Sequence, residues 1–232
     1  NATRPGALGA APVGTSTRPI YSFTYNSIGK VLDATDPTGL ITRSTYDPVN
    51  GNLVTSTVNP GGVNAATSYT YTALGDPLTM TDPRLNVTEY RYDNSRRRTQ
   101  VLQHNGNVNA PVIAAQRTNY DLLGQVLSEE AGVSFTGVNV NSWQMVKAST
   151  YTSTGQVETT RNGANNITSF LYDALDRAIV VTDPENRRVG TRYDAAGQVL
   201  CTWRGWNSTS APTTCAFDHT AYNGTGPVRY DE

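Results

Sequence analysis

Residues able to carry out catalysis are few and scattered in this chain. The only histidines, His104 and His219, are far apart in the sequence and stand in loop-like contexts. Serine and aspartate are abundant, so a Ser-His-Asp arrangement is formally available, but no nucleophile elbow accompanies either histidine. We interpret both histidines as structural or solvated. The sequence therefore predicts a protein that is not an enzyme, with no catalytic residue and no cofactor.

A recurring series of aspartates would suit paired-carboxylate catalysis or calcium binding. No EF-hand spacing and no nonapeptide calcium spacing occurs, however. Each aspartate instead stands at the start of a turn, where its carboxylate accepts hydrogen bonds from nearby backbone N–H groups. We therefore expect a structural role for these residues and no metal site. The series is Asp36, Asp82, Asp93, Asp173, Asp183 and Asp194.

Clusters of charged and aromatic residues allow two further interpretations. Arg96-Arg97-Arg98 is the densest charge run, and we interpret it as a solvated turn tip in preference to a phosphate-binding site. Tyrosine pairs such as Tyr69/Tyr71 and Tyr90/Tyr92 would suit a sugar-stacking platform. Aromatic residues on one strand face more usually pack against neighbours across strands, which is the interpretation we favour.

The two cysteines, Cys201 and Cys215, are 14 residues apart. A disulfide between them would close a long loop and would indicate an oxidising compartment. Two buried free thiols fit the sequence equally well. The spacing does not match a zinc site.

The composition excludes several classes of function. Charged residues make up 16% of the chain and the formal net charge is -1, which does not suit binding to nucleic acid or to a membrane surface. No apolar run approaches the ~20 residues that span a bilayer, so we expect no membrane insertion. The chain begins at Asn1 and not at Met, which we interpret as processing or as a fragment.

The elements that position these residues are best seen in Phe170–Leu200. Here Tyr172-Asp173 returns as Tyr193-Asp194 after 21 residues, with an Asp183-Pro184 turn between them. The Tyr-Asp turn ends in Gly197, as in a type I turn followed by a glycine bulge. Two turns in 21 residues leave two strands of about six residues each. The unit is a β-hairpin, and its repetition predicts a meander.

The same pattern of a tyrosine, a short turn-forming residue and a glycine recurs through most of the chain. Nine tyrosines are each followed by a short turn-forming residue, and four of the eight intervals between them are 21 residues long. Glycine usually stands four places after the tyrosine; Gly51 comes one place late, and Arg96 and Asp176 take its place in two units. The tyrosines are Tyr25, Tyr46, Tyr71, Tyr92, Tyr120, Tyr151, Tyr172, Tyr193 and Tyr222. The glycines are Gly29, Gly75, Gly124, Gly155, Gly197 and Gly226.

Two parts of the chain depart from the repeat. Residues 1–20 are rich in Ala, Pro, Gly, Thr and Ser, and we predict an extended arm or linker ahead of a repeat domain over residues 21–232. The intervals of 28 and 31 residues lack a clear second turn over Gln103–Thr118 and Ser128–Ser149. We expect longer loops or longer hairpins there, with Trp143 and Met145 packing against one of them.

These motifs resemble the Rhs or YD-repeat family. Its repeat runs approximately Tyr-Asp-x-x-Gly-Arg-Leu, then Thr-Asp-Pro-x-Gly, then Thr-x-Tyr-x-Tyr-Asp. Close matches are Tyr193-Asp194-Ala195-Ala196-Gly197-Gln198-Val199-Leu200, Thr35-Asp36-Pro37-Thr38-Gly39 and Thr88-Glu89-Tyr90-Arg91-Tyr92-Asp93. The resemblance covers roughly residues 21–230.

The resemblance implies an all-β fold in which tandem YD-type β-hairpins form a long curved antiparallel sheet, either a partial shell or a ribbon. In bacterial polymorphic toxins and insecticidal toxin complexes, such shells enclose a cytotoxic C-terminal segment. In teneurins, a related shell is extracellular and supports adhesion. For this chain we expect a secreted or cell-surface bacterial protein with a structural role. The alternative is a binding module that contacts glycans or a cell-surface partner through its Tyr-rich face.

The partners follow from the two ends of the predicted sheet. Nine hairpins give about 18 strands, which at ~4.8 Å per strand make a strip about 85 Å long. Such a strip leaves an unpaired strand edge at each end. We expect these edges to be covered by further repeats of a longer chain or by copies of the same chain, which pair head to tail into a filament.

Overall fold

The structure is a computed structural model that describes residues 19–204 and Cys215. These residues form sixteen β-strands and no helix. The strands belong to one antiparallel sheet, and their order in the sheet is their order in the chain, which confirms the predicted all-β hairpin meander. The strands are β1 Ser22–Tyr25, β2 Val31–Thr35, β3 Ile41–Tyr46, β4 Leu53–Val58, β5 Ala65–Tyr71, β6 Pro77–Thr81, β7 Val87–Tyr92, β8 Arg98–His104, β9 Val112–Tyr120, β10 Val126–Thr136, β11 Asn139–Tyr151, β12 Val157–Asn162, β13 Ile167–Tyr172, β14 Ala178–Thr182, β15 Arg188–Tyr193 and β16 Val199–Arg204.

The repeat tyrosines mark every second strand. Each odd-numbered strand from β1 to β15 ends in one of them, so successive tyrosines stand two strands apart. The pairing register shifts by one residue beside each tyrosine: Thr24 pairs with Asp33, for example, but Tyr25 pairs with Val31. An extra residue in one strand of a pair is a β-bulge, which bends the strand and increases its twist. Each described strand pair that is joined by a tyrosine turn therefore has a bulge next to its tyrosine.

The longer intervals hold longer hairpins. β9, β10 and β11 contain 9, 11 and 13 residues, against four to seven in the other strands. β10 and β11 are joined by Gly137 and Val138 alone, with Gly137 at a φ of 56°. A two-residue connection with glycine first is typical of tight β-hairpins. Between Tyr120 and Tyr151 the extra residues therefore extend β10 and β11, whereas β8 and β9 are joined by a longer loop over residues 105–111.

The chain divides into two compact units. One comprises Asn1–Ala115 and Ser134–Asn141, and the other comprises Gln116–Val133 and Ser142–Glu232. Among the described residues, each unit buries only a few apolar side chains. Those of the first unit are Val87, Leu102, Val112 and Ala115, and those of the second are Val180 and Trp203. In the second unit Val180, Gly190 and Trp203 are cross-strand neighbours in one row.

Threonine pairs across neighbouring strands recur along the sheet. Thr45 and Thr55 stand opposite each other with their hydroxyl oxygens 2.6 Å apart, and Thr70 and Thr79 repeat this arrangement at 2.6 Å. In the second unit Thr150 and Thr159 do so at 2.8 Å. Such cross-strand pairs each stabilise a sheet by roughly 0.2–1 kcal/mol.

Candidate functional site

The tyrosine turns share one hydrogen-bond pattern. In the turn after Tyr172, the N–H of Asp176 donates to the carbonyl of Asp173 at 3.0 Å, and the N–H of Asp173 donates to the carbonyl of Arg177 at 3.0 Å. The Oδ1 atom of Asp173 accepts hydrogen bonds from the N–H groups of Leu175 at 2.9 Å and Arg177 at 3.0 Å. The Asp173 side chain, at the first position of the turn, therefore makes its hydrogen bonds within the turn.

The last position of this turn has a positive φ in every described unit. Gly29, Gly51, Gly75, Gly124, Gly155 and Gly197 have φ between 73° and 90°. Arg96 and Asp176, which replace glycine, have φ of 64° and 59°. This region is strained for L-residues, least for Gly, Asn and Asp. Gly226 lies outside the described residues.

The Asp-Pro turns at the other ends of the strands have the same construction. The N–H of Gly39 donates to the carbonyl of Asp36 at 3.0 Å, and Asp36 Oδ1 accepts from the N–H groups of Thr38 and Leu40 at 2.8 and 2.9 Å. Asn186 ends the Asp183 turn at a φ of 61°, as expected. In the Asp82 turn the positive φ of 68° falls on Leu85. Sequence reasoning missed Leu85, because leucine gives no turn signal.

These hydrogen bonds account for the recurring aspartates and lower the pKa of Asp36 and of Asp173. The pKa of Asp36 is lowered chiefly by the hydroxyl of Thr38. The pKa of Asp173 is lowered chiefly by the side chain of Arg177, 2.7 Å from Asp173 Oδ2 through its Nε atom, and then by backbone N–H groups. Among the described residues, no cluster of three His, Cys, Asp or Glu residues could hold a metal ion.

Tyrosine hydroxyls connect most of the described hairpins to the hairpin before. Six repeat tyrosines donate to a backbone carbonyl on the preceding even-numbered strand, and in each case the acceptor is the residue that pairs with the previous repeat tyrosine. The bonds are Tyr46 to Val31 at 2.9 Å, Tyr71 to Leu53 at 2.8 Å, Tyr92 to Pro77 at 2.7 Å, Tyr151 to Val126 at 2.8 Å, Tyr172 to Val157 at 2.8 Å and Tyr193 to Ala178 at 3.1 Å. We call this series the tyrosine ladder.

The tyrosine ladder requires the hydroxyl group of tyrosine, because phenylalanine has no group that could donate these hydrogen bonds. Its bonds lie between strands that are neighbours only after folding, so sequence reasoning did not identify them. The recurrence of tyrosine, and not phenylalanine, at a fixed spacing was the available signal. Burial raises the pKa of Tyr71 and of Tyr92, which keeps these hydroxyls protonated as donors.

A second set of contacts joins neighbouring tyrosine turns. The residue directly after a turn reaches the next turn along the sheet: Arg177 Nη1 donates to the carbonyl of Asp194 at 2.9 Å, and Gln125 Nε2 donates to the carbonyl of Gly155 at 3.0 Å. Lys30 Nζ donates to the carbonyl of Gly51. We call these contacts turn bridges.

Two turn bridges also use the aromatic rings. The Arg177 guanidinium carbon lies 4.7 Å from the centre of the Tyr193 ring, and Lys30 Nζ lies 5.1 Å from the centre of the Tyr46 ring. Such cation–π contacts add roughly 0.5–1 kcal/mol at exposed sites. The tyrosine ring and hydroxyl therefore make separate contacts with the preceding repeat.

The arginine run is occupied by contacts within the sheet. Arg96 donates to both carboxylate oxygens of Asp76 at 2.8 Å, which makes it a bidentate bridge to the preceding turn. Arg97 Nε donates to Asp93 Oδ2 at 2.7 Å, and the Arg98 guanidinium lies 5.7 Å from the centre of the Tyr90 ring. The run lies at a turn, as expected, but Arg96 and Arg97 form ion pairs there.

His104 is structural, but its surroundings differ from the prediction. It ends β8 and is only 1% exposed, so the expectation of a loop-like context was wrong. Its Nδ1 lies 3.0 Å from the carbonyl oxygen of Ala110, and its Nε2 lies 3.2 Å from Glu89 Oε2. Both ring nitrogens are therefore engaged, and His104 fastens the β8–β9 connection to β7. His219 lies outside the described residues.

The aromatic pairs take part in cross-strand packing. Tyr69 stands opposite Met80, and Tyr90 stands opposite Val101. In the second unit, the Arg117 guanidinium lies 4.6 Å from the centre of the Trp143 ring and pairs with Glu130. This fits the expected packing role of Trp143 in the long hairpins.

The cysteines are joined in the structure. Cys201, on β16, forms a disulfide with Cys215, with the Cα atoms 6.0 Å apart. Tyr222, the ninth repeat tyrosine, lies outside the described residues. Among the described residues, there is no helix that is long and apolar enough to cross a membrane.

Two solved structures share the fold of this chain. Over 79% of this chain, the crystal structure of TcdB2-TccC3 without its hypervariable C-terminal region aligns with a TM-score of 0.50 at 15% identity, and the crystal structure of TcdB2-TccC3 gives the same values. The fold is Rhs-like. The Photorhabdus luminescens Tc holotoxin pore aligns at 20% identity with a TM-score of 0.46, over 79% of this chain and 9% of its own.

The matched structures are much longer than this chain. The chain spans 12% of the two TcdB2-TccC3 chains to which it aligns. No family model matches the sequence, and a search of the curated proteins finds no match.

Proposed function

We propose that this chain is a wall segment of an Rhs/YD-repeat β-shell of an exported bacterial protein. The tyrosine ladder carries the proposal, because at six repeat tyrosines it joins a hairpin to its predecessor by a side-chain bond and so favours a continuous wall of repeats. The Rhs-like fold shared with TcdB2-TccC3 supports it.

A structural and non-enzymatic role follows from how the reactive side chains are used. The turn aspartates accept hydrogen bonds from their own turns, the tyrosine hydroxyls bond to carbonyls, and both nitrogens of His104 have partners. An active site needs groups directed at a substrate, usually within a concave pocket. The described strands instead direct these groups at one another.

A secreted or cell-surface location suits the same proposal. The Cys201–Cys215 disulfide belongs to an oxidising compartment, since cytosolic thiols are kept reduced. The partners of the wall segment would be further YD-type repeats of a longer chain, or copies of this chain that pair head to tail into a filament. Both kinds of partner would cover the edge strands β1 and β16.

An extracellular binding module is the second candidate. The observation that favours it is a group of exposed aromatic side chains at the β1 edge: Tyr21 at 63%, Phe23 at 49% and Tyr25 at 54% exposure. Exposed aromatic rings stack well on sugars, so a glycan or a cell-surface partner is the expected ligand. Glycan-array binding that disappears in Tyr21→Ala and Phe23→Ala variants with unchanged circular dichroism would support this alternative.

The sequence of the parent reading frame tests the wall-segment proposal. We expect further Tyr-Asx-x-x-Gly units in register on one or both sides of this segment, and the same tyrosine ladder in the structure of the longer chain. Limited proteolysis of that longer chain should leave the repeat region intact. A reading frame without further repeats would contradict the proposal.

A further inference from the structure

Three Asn-Gly pairs lie among the described residues, and this dipeptide is prone to spontaneous deamidation. The glycine nitrogen, once deprotonated, attacks the asparagine Cγ atom; the new C–N bond closes a succinimide ring and ammonia leaves. Water then opens the ring to aspartate or to isoaspartate. Glycine favours the attack because it has no Cβ atom in the way. The pairs are Asn50-Gly51, Asn105-Gly106 and Asn162-Gly163, while Asn223-Gly224 lies outside the described residues.

All three asparagines are exposed, so their hydrogen bonds and not their exposure distinguish them. The Asn50 pair is held at both reacting groups. Asn50 Oδ1 accepts a hydrogen bond from the Asn52 N–H at 2.8 Å, and the Gly51 N–H donates to the Asp47 carbonyl at 2.9 Å. Gly51 is also buried. Attack on Cγ would therefore break two hydrogen bonds, one of them from a buried N–H.

The Asn162 pair is held by its turn and by the neighbouring strand. Asn162 Oδ1 accepts hydrogen bonds from the N–H groups of Ala164 and Asn166, each at 3.0 Å. A Cβ atom at Gly163 would lie only 2.8 Å from the Met145 carbonyl oxygen, so Gly163 packs directly against the backbone of β11. The side chain that would be attacked and the glycine that would attack are both restrained.

The Asn105 pair, in the β8–β9 connection, lacks these restraints. Among the residues that the structure describes, neither the Asn105 side chain nor the Gly106 N–H has a hydrogen-bond partner. The other backbone groups of the pair are engaged: the Asn105 N–H donates to the Pro111 carbonyl at 3.1 Å, and the Gly106 carbonyl accepts from the Val87 N–H at 2.9 Å. The two groups that must react with each other are the ones that no partner holds.

We propose that Asn105 is a site of spontaneous deamidation in the native protein and that Asn50 and Asn162 are protected from it. The reaction needs only water and hydroxide. It replaces a neutral amide with a carboxylate, and the isoaspartyl product adds one carbon to the backbone between residues 105 and 106. The new charge arises next to His104, whose Nε2 lies 3.2 Å from Glu89 Oε2. This site is independent of the wall-segment proposal.

Ageing of the full chain in warm, mildly alkaline buffer tests the assignment. Tryptic peptides are compared by mass and by chromatography, which separates aspartyl from isoaspartyl products, and fragmentation locates the modified asparagine. A parallel sample is kept unfolded in guanidinium chloride. This control corrects for the different neighbours of each Asn-Gly pair, because unfolding removes the hydrogen bonds and leaves the sequence unchanged.

The ratio of the native to the unfolded deamidation rate decides the proposal at each site. We expect similar native and unfolded rates at Asn105, and a native rate at least several-fold below the unfolded rate at Asn50 and at Asn162. An Asn105→Ser variant, which has no amide to lose, should form no product at residue 105 while the other two sites keep their rates. Protection of Asn105 equal to that of Asn50 and Asn162 would overturn the proposal.

Discussion

The hydroxyl of Tyr172 donates a hydrogen bond to the carbonyl oxygen of Val157, which is 2.8 Å away at the start of the preceding strand. The same relationship links Tyr193 to Ala178 and Tyr46 to Val31. A bond that recurs at six repeat tyrosines couples local turn formation to the stacking of repeats. It also makes the role of each hydroxyl measurable by a single-atom deletion.

Tyr172→Phe should lower the free energy of unfolding by about 1 kcal/mol, because the Val157 carbonyl loses its side-chain donor while the aromatic ring stays. Urea denaturation followed by circular dichroism would measure the change. Tyr25→Phe is the matched control: it removes the same hydroxyl on β1, where no ladder bond is present among the described residues, and it should leave stability unchanged. Equal losses in the two variants would show that the ladder bond is not the cause.

Gly197→Val should destabilise the protein by more than about 1 kcal/mol. Gly197 has a φ of 86°, and a β-branched side chain is strained in that region. A Cβ atom at Gly197 meets no other heavy atom within 4 Å, so the cost is conformational and not a steric clash. Gly197→Asn should cost less, since asparagine tolerates this region. Identical melting temperatures for Gly197→Val and the parent would contradict the assigned turn.

Stability should fall as the pH drops below about 4. The pKa of Asp173 and of Asp36 is lowered in the folded state from an ordinary value of 3.8. A carboxyl with a lowered pKa binds protons more readily when unfolded, so its contribution is complete above 3.8 and is lost as the pH falls through the folded pKa. Melting temperatures measured from pH 7 to pH 2 would show the decline.

Asp173→Asn provides the control for this acid effect. The amide oxygen of the new asparagine can still accept the turn hydrogen bonds, as the side chain of Asn162 does in the turn that joins β12 to β13. The variant should have a shallower acid dependence than the parent, because the charged pair with Arg177 is gone. A steeper dependence would contradict the assigned role of the Asp173 carboxylate.

Reduction of the Cys201–Cys215 disulfide should cost about 3 kcal/mol in the chain-entropy model, which relates the effect to a sequence separation of 14 residues. Thermal melting with and without dithiothreitol would measure it. A Cys201→Ser, Cys215→Ser double variant should melt at the reduced temperature and no longer respond to the reductant. Two free thiols by mass spectrometry of the native protein would contradict the pairing.

The spacing of the repeats was sufficient to predict the hairpins. A Tyr-Asx-x-x-Gly turn is encoded by neighbouring residues, so its position, its bulge and the two-strand step follow from local chemistry. The positive φ at Arg96 and Asp176 was also predictable, because their register in the repeat requires it. Turn residues that give no local signal, such as Leu85, could be assigned only from the structure.

Contacts between repeats were not predictable in the same way. The acceptor of Tyr46 depends on the one-residue register shift beside Tyr25, which no short sequence window contains. The burial of His104 depends on Glu89 from another strand and on the Ala110 carbonyl from the connection that follows. The Arg96–Asp76 pair joins two turns 20 residues apart. Such contacts arise only once the strands are aligned.

The interval from Tyr120 to Tyr151 shows how such a protein can gain length. It is ten residues longer than the common spacing of 21, yet the hydroxyl of Tyr151 still reaches the Val126 carbonyl at 2.8 Å. The additional residues extend the β10–β11 hairpin toward its tip at Gly137 and Val138. The length of a hairpin can therefore differ at its tip while the spacing of the tyrosine turns in the sheet is kept, and such a tip is a suitable site for grafting an epitope or a tag.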